Sequence, residues 1–181
     1  LGMVGMHGQK EANQAVHNSD LLITIGARFS DRVTGDVNHF AKNAVIAQID
    51  IDESEIDKNV VVDLSLIGDM REILSRLLEK TEKKKNPVWL EKIDSFRVPK
   101  AISEDAFVPQ NIFKVIHEVL GDDVIVATDV GQHQMWTAQE WPFTKPRTNI
   151  TSGGLGTMGF GLGAAIGAQM GNPDARVIHI S

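Results

Sequence analysis

Four short, nearly unbroken apolar runs constrain this chain more than anything else in it: Leu21–Ile25, Ile46–Ile51, Val124–Ala127 and Val177–Ile180. Runs of that length between turn residues read as β-strands, and their lack of polar alternation predicts parallel strands buried on both faces of a sheet. Residues 60–66 are expected to form a further strand. Asp69 then precedes Met70, Ile73, Leu74, Leu77 and Leu78 at helical spacing, with Glu72 placed as in a capping box, so an amphipathic helix is expected to run to about Lys85. Ile112, Val115, Ile116, Val119 and Leu120 mark a second helical face, which Gly121 ends. Strand and helix thus alternate twice, which argues for α/β layers with parallel sheets and right-handed crossovers. Periodicity weakens between Asn86 and Val108, a stretch that holds Pro87 and Pro99 and is followed by Pro109. The expected organisation is a unit at 1–86, a linker at 87–106 with a short helix around Trp89–Phe96, and a second unit at 107–181.

Composition excludes several classes. With a net charge of −6 and a pI near 5.5, the chain has no basic stripe of the kind that neutralises nucleic-acid phosphates. The lysines of Glu79–Lys85 read as the solvated C-terminal end of a helix, where cations are favoured. No cysteine is present, so disulfides, thiolate nucleophiles and Cys-ligated metals are ruled out, in keeping with a reducing compartment. No apolar run is long enough for a transmembrane helix, and Leu1–Gly5 lacks the basic and apolar regions of a signal peptide.

Two stretches after the strand at 124–127 carry the chemistry. Ser152–Ala168 contains seven glycines, and that density allows a backbone to approach a ligand closely. Asp129–Trp136 begins where ligands sit in parallel α/β sheets, outside the carboxyl end of a strand. The residues alone also fit a plain helix start with Gln132 and His133 facing solvent, and Met158 also fits a core filler. In the first half, Gly26–Gly35 follows the strand at 21–25, and Asp50 closes the next strand, where an acid either holds a sugar hydroxyl or caps the next helix. Arg32 suits a carboxylate ligand through its planar fork, or a surface ion pair with Asp31; His7 in Gly5–Gly8 reads equally as a surface histidine.

These segments together resemble the acetolactate synthase family of thiamine-diphosphate enzymes. Gly26-Ala-Arg-Phe-Ser-Asp-Arg-Val-Thr-Gly35 is the most family-specific of them, joined by Gly5-Met-His-Gly8, Gly131-Gln-His-Gln134 and the glycine run, and the likeness covers essentially the whole chain. The resemblance implies the C-terminal part of a Rossmann-like, flavin-binding middle domain followed by the first part of a thiamine-diphosphate-binding α/β domain. It implies that Gln132 and His133 meet the diphosphate of the cofactor and that Gly156, Thr157 and Met158 meet its aminopyrimidine. Met6, His7, Gly26, Ala27, Arg28, Val33, Asp50, Ile51 and Asp69 would then face FAD, in a structural role. Arg32, oriented by Asp31, would face the carboxylate of a 2-ketoacid.

In that family the last strand runs into a Gly-Asp-Gly turn holding Mg²⁺, and the activating glutamate belongs to another domain. The expectation is therefore an internal fragment with no complete catalytic or metal site, inactive alone and prone to self-association. The intact enzyme would decarboxylate pyruvate and condense the product with a second 2-ketoacid for branched-chain amino-acid synthesis. It would be a cytoplasmic homodimer or homotetramer, if bacterial, possessing or lacking a regulatory subunit. Gly163 stands where the family mostly has proline, a change expected to leave function alone. Rival readings are another carboligase or decarboxylase of the superfamily, such as a glyoxylate carboligase, and a noncatalytic nucleotide-binding module.

Overall fold

A computed structural model describes residues 1–97, 105 and 107–181; positions 98–104 and 106, inside the expected linker, lie outside the described residues. The chain forms two compact units, residues 1–99 and 100–181.

In the first unit, β1 (Leu21–Ile25), β2 (Val45–Asp50) and β3 (Leu64–Ile67) lie side by side in that order, all parallel. Helix α1 (Lys10–Asn18) precedes the sheet and α2 (Asp31–Thr34) starts the connection from β1 to β2. Helix α3 (Met70–Lys80) follows β3, and α4 (Pro87–Phe96), the helix expected within the linker, packs on α1. The core is the buried cluster Phe29, Ala41, Ile46 and Val60, with Phe29 meeting Phe40 edge to face at 5.8 Å.

Three expectations for this unit are corrected. Its strands are covered only in part on one side, where Ile49 is buried but most of the apolar residues are not. The pairing of Leu21 with Val45 and of Ala47 with Leu64 puts Leu21, Ile23, Val45, Leu64 and Leu66 on one face, and all five are exposed. Leu22 and Ile46, on the opposite face, take part in the core. Residues 60–63 are not strand: Asp57, at φ 57°, accepts the Val62 N–H at 2.8 Å and turns the chain, which buries Val60 as a loop residue. Strand pairing begins only after Asp63, whose carboxylate accepts the Ile46 N–H at 2.7 Å. Finally, α3 stops at Lys80 and Thr81 is extended. No apolar residue follows Leu78 on the helix face, and continuation would set Lys80 and Lys84 as a like-charge pair at i, i+4. Asp69 caps α3 as expected, accepting from Arg71 and Glu72 N–H at 2.9 and 3.2 Å, while Glu72 pairs with Arg76 at 2.6 Å.

The second unit contains α5 (Pro109–Leu120), β4 (Val124–Thr128), α6 (Gln132–Glu140), β5 (Asn149–Ile150), α7 (Phe160–Gly171) and β6 (Arg176–Ile180). Its sheet runs β5-β4-β6, all parallel, with α7 packed on β4 and β6 and α5 on α6. Phe113, Val124, Val126 and Trp141 form the buried core. Gly121 ends α5 at φ 75°, with its N–H on the His117 carbonyl at 2.7 Å. At the first turn of α7 a side chain has no room. A Cβ on Gly161 would stand 2.5 Å from Asp129 N and 2.7 Å from Thr128 C, so glycine is what lets the helix rest on the end of β4.

Candidate cofactor site

The central strand of the second sheet, β4, ends at Thr128, and the chain turns through Asp129 and Gly131 into α6. Gln132, the first residue of that helix, is exposed. His133 follows, with its Nε2 buried and without a partner, and its carbonyl accepts the Thr137 hydroxyl at 2.7 Å. The glycine-rich loop arrives at the same strand end from β5. Gly156 and Gly159 are left-handed, at φ 63° and 87°, and both face open space where a side chain would stand. Ser152 folds the loop by accepting the Gly156 N–H on its carbonyl and the Thr157 N–H on its hydroxyl, both at 3.0 Å. Met158 is held out at 79% exposure, which sets aside the reading of it as a core filler within this chain.

The two segments are fastened to each other. Asp129 accepts the Val130 N–H at 2.7 Å and, through both oxygens, the Gly159 N–H at 2.8 and 3.0 Å. These backbone N–H groups, Val130 first, hold its carboxyl below the usual value of 3.8, and the nearby His133 and His179 act in the same direction. Below them, the Thr151 hydroxyl meets that of Thr128 at 2.6 Å and accepts the Gln134 amide N–H at 2.8 Å. Sequence reasoning placed Asp129 at the head of the Asp129–Trp136 stretch without giving it a role, and passed over Thr151. Asp129 left a usable signal, an acid at a strand end two residues before a glycine. Thr151 left none, because its partners lie 17 and 23 residues away.

In the first unit the flavin-assigned residues fall into two places. Gly26, at φ 60°, donates to the Ile49 carbonyl at 2.8 Å, and Gly68 donates to the Asp50 carbonyl at 2.9 Å. Gly26–Arg28, Asp50–Ile51 and Asp69 therefore line the carboxyl edge of β1, β2 and β3, where parallel sheets take ligands. Ala27 is anchored from below by Gln48, fully buried, whose amide donates to its carbonyl at 3.2 Å, and the Arg28 carbonyl accepts from Asn59 at 2.9 Å. Asp50 accepts the Asp52 N–H at 3.0 Å and does not cap the next helical turn, Glu53–Glu55, whose cap is Asp52; Asp69 caps α3. Ile51 is 74% exposed.

The second place is the Gly5–Gly8 loop, docked on α2. Met6 N–H donates to the Arg32 carbonyl at 2.8 Å, and the Arg32 guanidinium reaches the Met6 sulfur at 3.6 Å. A Cβ on Gly5 would stand 2.5 Å from the Arg32 carbonyl oxygen, so the glycine makes this approach possible. Arg32 and Asp31 are strongly exposed and their charged groups stand 4.0 Å apart. Met6 and Val33 line a cavity of about 390 Å³ with Asn13, His17, His39 and Phe40, and the strand-edge residues do not. Among the described residues no three side chains gather as a metal site, and no helix is long and apolar enough to cross a membrane.

Comparison with known proteins defines the class. Residues 1–77 match the family described as thiamine pyrophosphate enzyme, central domain, and residues 129–181 match its C-terminal TPP binding domain. The chain thus carries parts of two domains of a thiamine pyrophosphate enzyme. Relatives along its whole length narrow this further. The chain is 47% identical to a probable acetolactate synthase large subunit of Methanocaldococcus jannaschii, covering 100% of this chain and 33% of that protein. It is 44% identical to one of Methanococcus aeolicus, covering 100% and 34%, and 46% identical to the acetolactate synthase large subunit of Corynebacterium glutamicum, covering 98% and 30%. The chain belongs to the acetolactate synthase large-subunit family, and it spans about a third of the length of the curated relatives it matches.

Proposed function

We propose that the full-length subunit carrying this sequence decarboxylates pyruvate on thiamine diphosphate and condenses the product with a second 2-ketoacid, for branched-chain amino-acid synthesis. Beyond the family membership, one observation carries the reading. A buried histidine nitrogen without a partner stands at the start of α6, and an open glycine cradle is tied to the same strand end. Such a donor set suits a diphosphate, which takes neutral N–H donors where a metal supplies the positive charge.

In this reading Gln132 and His133 hold the diphosphate. The backbone of Gly156 and Thr157 approaches the pyrimidine ring, and the exposed Met158 supplies the apolar surface against which the cofactor bends. When bound, thiamine diphosphate with Mg²⁺ supplies the nucleophilic carbon and the electron sink of the decarboxylation. Arg32 pairs with a ketoacid carboxylate, and Asp31 orients it. FAD lies along the carboxyl edge of the first sheet against Gly26–Arg28, Asp50–Ile51 and Asp69, with Met6, His7 and Val33 on its other side. The divisions 1–86, 87–106 and 107–181 belong to the same reading, as do a cytoplasmic site if the source is bacterial and assembly into a dimer or tetramer.

The test is titration of thiamine diphosphate into the full-length subunit with Mg²⁺ and FAD, following the fluorescence of Trp136, one helical turn from His133, together with acetolactate formation. Saturable binding with turnover of pyruvate is expected, and His133→Ala should weaken binding about tenfold or more. A folded full-length subunit that makes no acetolactate under these conditions refutes the reading.

A further inference from the structure

Asp129 opens one of the two stretches assigned to the cofactor and is tied to the other, without itself being assigned a contact to the cofactor. It holds Val130, which leads through Gly131 into Gln132 and His133, and it holds Gly159, which closes the loop carrying Gly156, Thr157 and Met158. One side chain thus bridges positions 30 residues apart in sequence. Its geometry is not that of an ordinary helix cap. A capping side chain belongs to the N-cap residue and accepts from the second or third helical N–H. Here the acceptor comes from the end of another strand and takes the N–H of the N-cap residue, Gly159, itself. What Asp129 secures is therefore the end of the loop more than the first turn of α7. Gly159 is left-handed at that point, and Gly161 lets α7 sit directly on the Asp129 backbone, so the tie has no slack on either side.

We propose that Asp129 is a positioning residue that sets the span between the diphosphate end and the pyrimidine end of the site. The inference rests on the thiamine-diphosphate reading given above. A cofactor that must be bent to react is held at both ends, and a misplacement of about 1 Å is enough to cost about 100-fold in rate. A charged acceptor shared by two N–H groups resists such drift better than a neutral one.

The experiment is a comparison of wild-type full-length subunit with Asp129→Ala and Asp129→Asn, measuring thiamine diphosphate affinity, kcat at saturating cofactor and the melting temperature. Asp129→Ala should lower kcat at saturation by about 10- to 100-fold, more than it weakens cofactor affinity. Asp129→Asn, which keeps one acceptor oxygen without the charge, should recover part of the loss. A structural role alone would move the melting temperature and leave the kcat of the folded enzyme in place. If Asp129→Ala does not fold, reduced kcat in a folded Asp129→Asn enzyme supports the proposal. Wild-type kcat at saturating cofactor in the folded variants overturns it. Wild-type enzyme that fails to bind thiamine diphosphate at all removes the underlying reading instead, so the two failures are told apart.

Discussion

Replacing Gly161 by alanine tests the contact on which the second unit's geometry depends. The new Cβ would stand 2.5 Å from Asp129 N, 2.7 Å from Thr128 C and 2.6 Å from His179 Nε2. Carbon prefers neighbours at about 3.5–4.0 Å, so α7 or the end of β4 must retreat by about 1 Å. Two of the three atoms are backbone and cannot rotate away. Overpacking of this kind costs about 1–3 kcal/mol. Against it stands the gain of removing a helical glycine, about 1 kcal/mol in a helix interior and less at the second residue of α7. The net expectation is a destabilisation of about 1–2 kcal/mol. Gly167, on the same helix, has nothing within 4 Å of its Cβ position, so Gly167→Ala should stabilise the chain by about 0.5–1 kcal/mol. The two variants differ only in the site of the same methyl group. Urea denaturation of the 1–181 chain, read through tryptophan fluorescence, should separate their midpoints with Gly161→Ala the lower. Equal stabilities, or a more stable Gly161→Ala, would mean that α7 does not rest on β4 at this distance.

Three further outcomes are expected. In the full-length subunit Arg32→Ala should leave folding stability within about 0.5 kcal/mol, because the Asp31 pair is exposed and long. The same change should lower kcat/KM for 2-ketoacids by about 30-fold or more, with lysine a partial rescue; unchanged kinetics would assign Arg32 to the surface. Asp69→Ala removes the acceptor of two N–H groups at the start of α3 and should cost about 1 kcal/mol, while Asp69→Asn should cost less; equal melting of both variants and the parent chain would refute the cap. The Lys145 ammonium, 2.8 Å from Asp123, holds that carboxyl below its ordinary 3.8. Because the folded value is depressed, the stabilisation is present above about 3.8 and lost as pH falls through the lower folded value. Lys145→Met should bring the Asp123 midpoint back up in an NMR titration, and no movement would show that the pair does not form in solution.

Much of the layering was legible because parallel strands and amphipathic helices leave local signals. The run at 124–127 is strand because nothing polar interrupts it, and Asp69 starts α3 because it precedes the first apolar turn. What failed did so where a side chain far from the backbone signal decided the outcome. Val60 and Val62 look like strand, yet the Asp57 carboxylate draws the chain into a turn before pairing can begin. Burial on both faces failed for a related reason. Apolarity states that a strand is to be covered and says nothing about which residues cover it, and in the first sheet Leu21, Ile23 and Leu64 face outward. The strand β5 has two residues, Asn149 and Ile150, and owes its existence to β4 beside it rather than to its own composition.

The candidate site divides along the same line. Gly156 and Gly159 announce themselves, since their left-handed backbone and the open space beside them are what glycine permits. His133 is visible as a residue type, but its buried, unpartnered Nε2 is a fact of packing that no spacing encodes. The ties between segments are least legible of all. Asp129 reaches Gly159 across 30 residues and Gln134 reaches Thr151 across 17, and nothing in either sequence neighbourhood points to the other end. The same asymmetry sets what mutation will disclose. Substituting a glycine in the loop disturbs a conformation the sequence already advertises, whereas substituting Asp129 or Thr151 removes a tie between segments, in Asp129 together with the acceptor of the neighbouring Val130 N–H. Loss of kcat at saturating cofactor with little change in melting is the signature that separates those two kinds of damage.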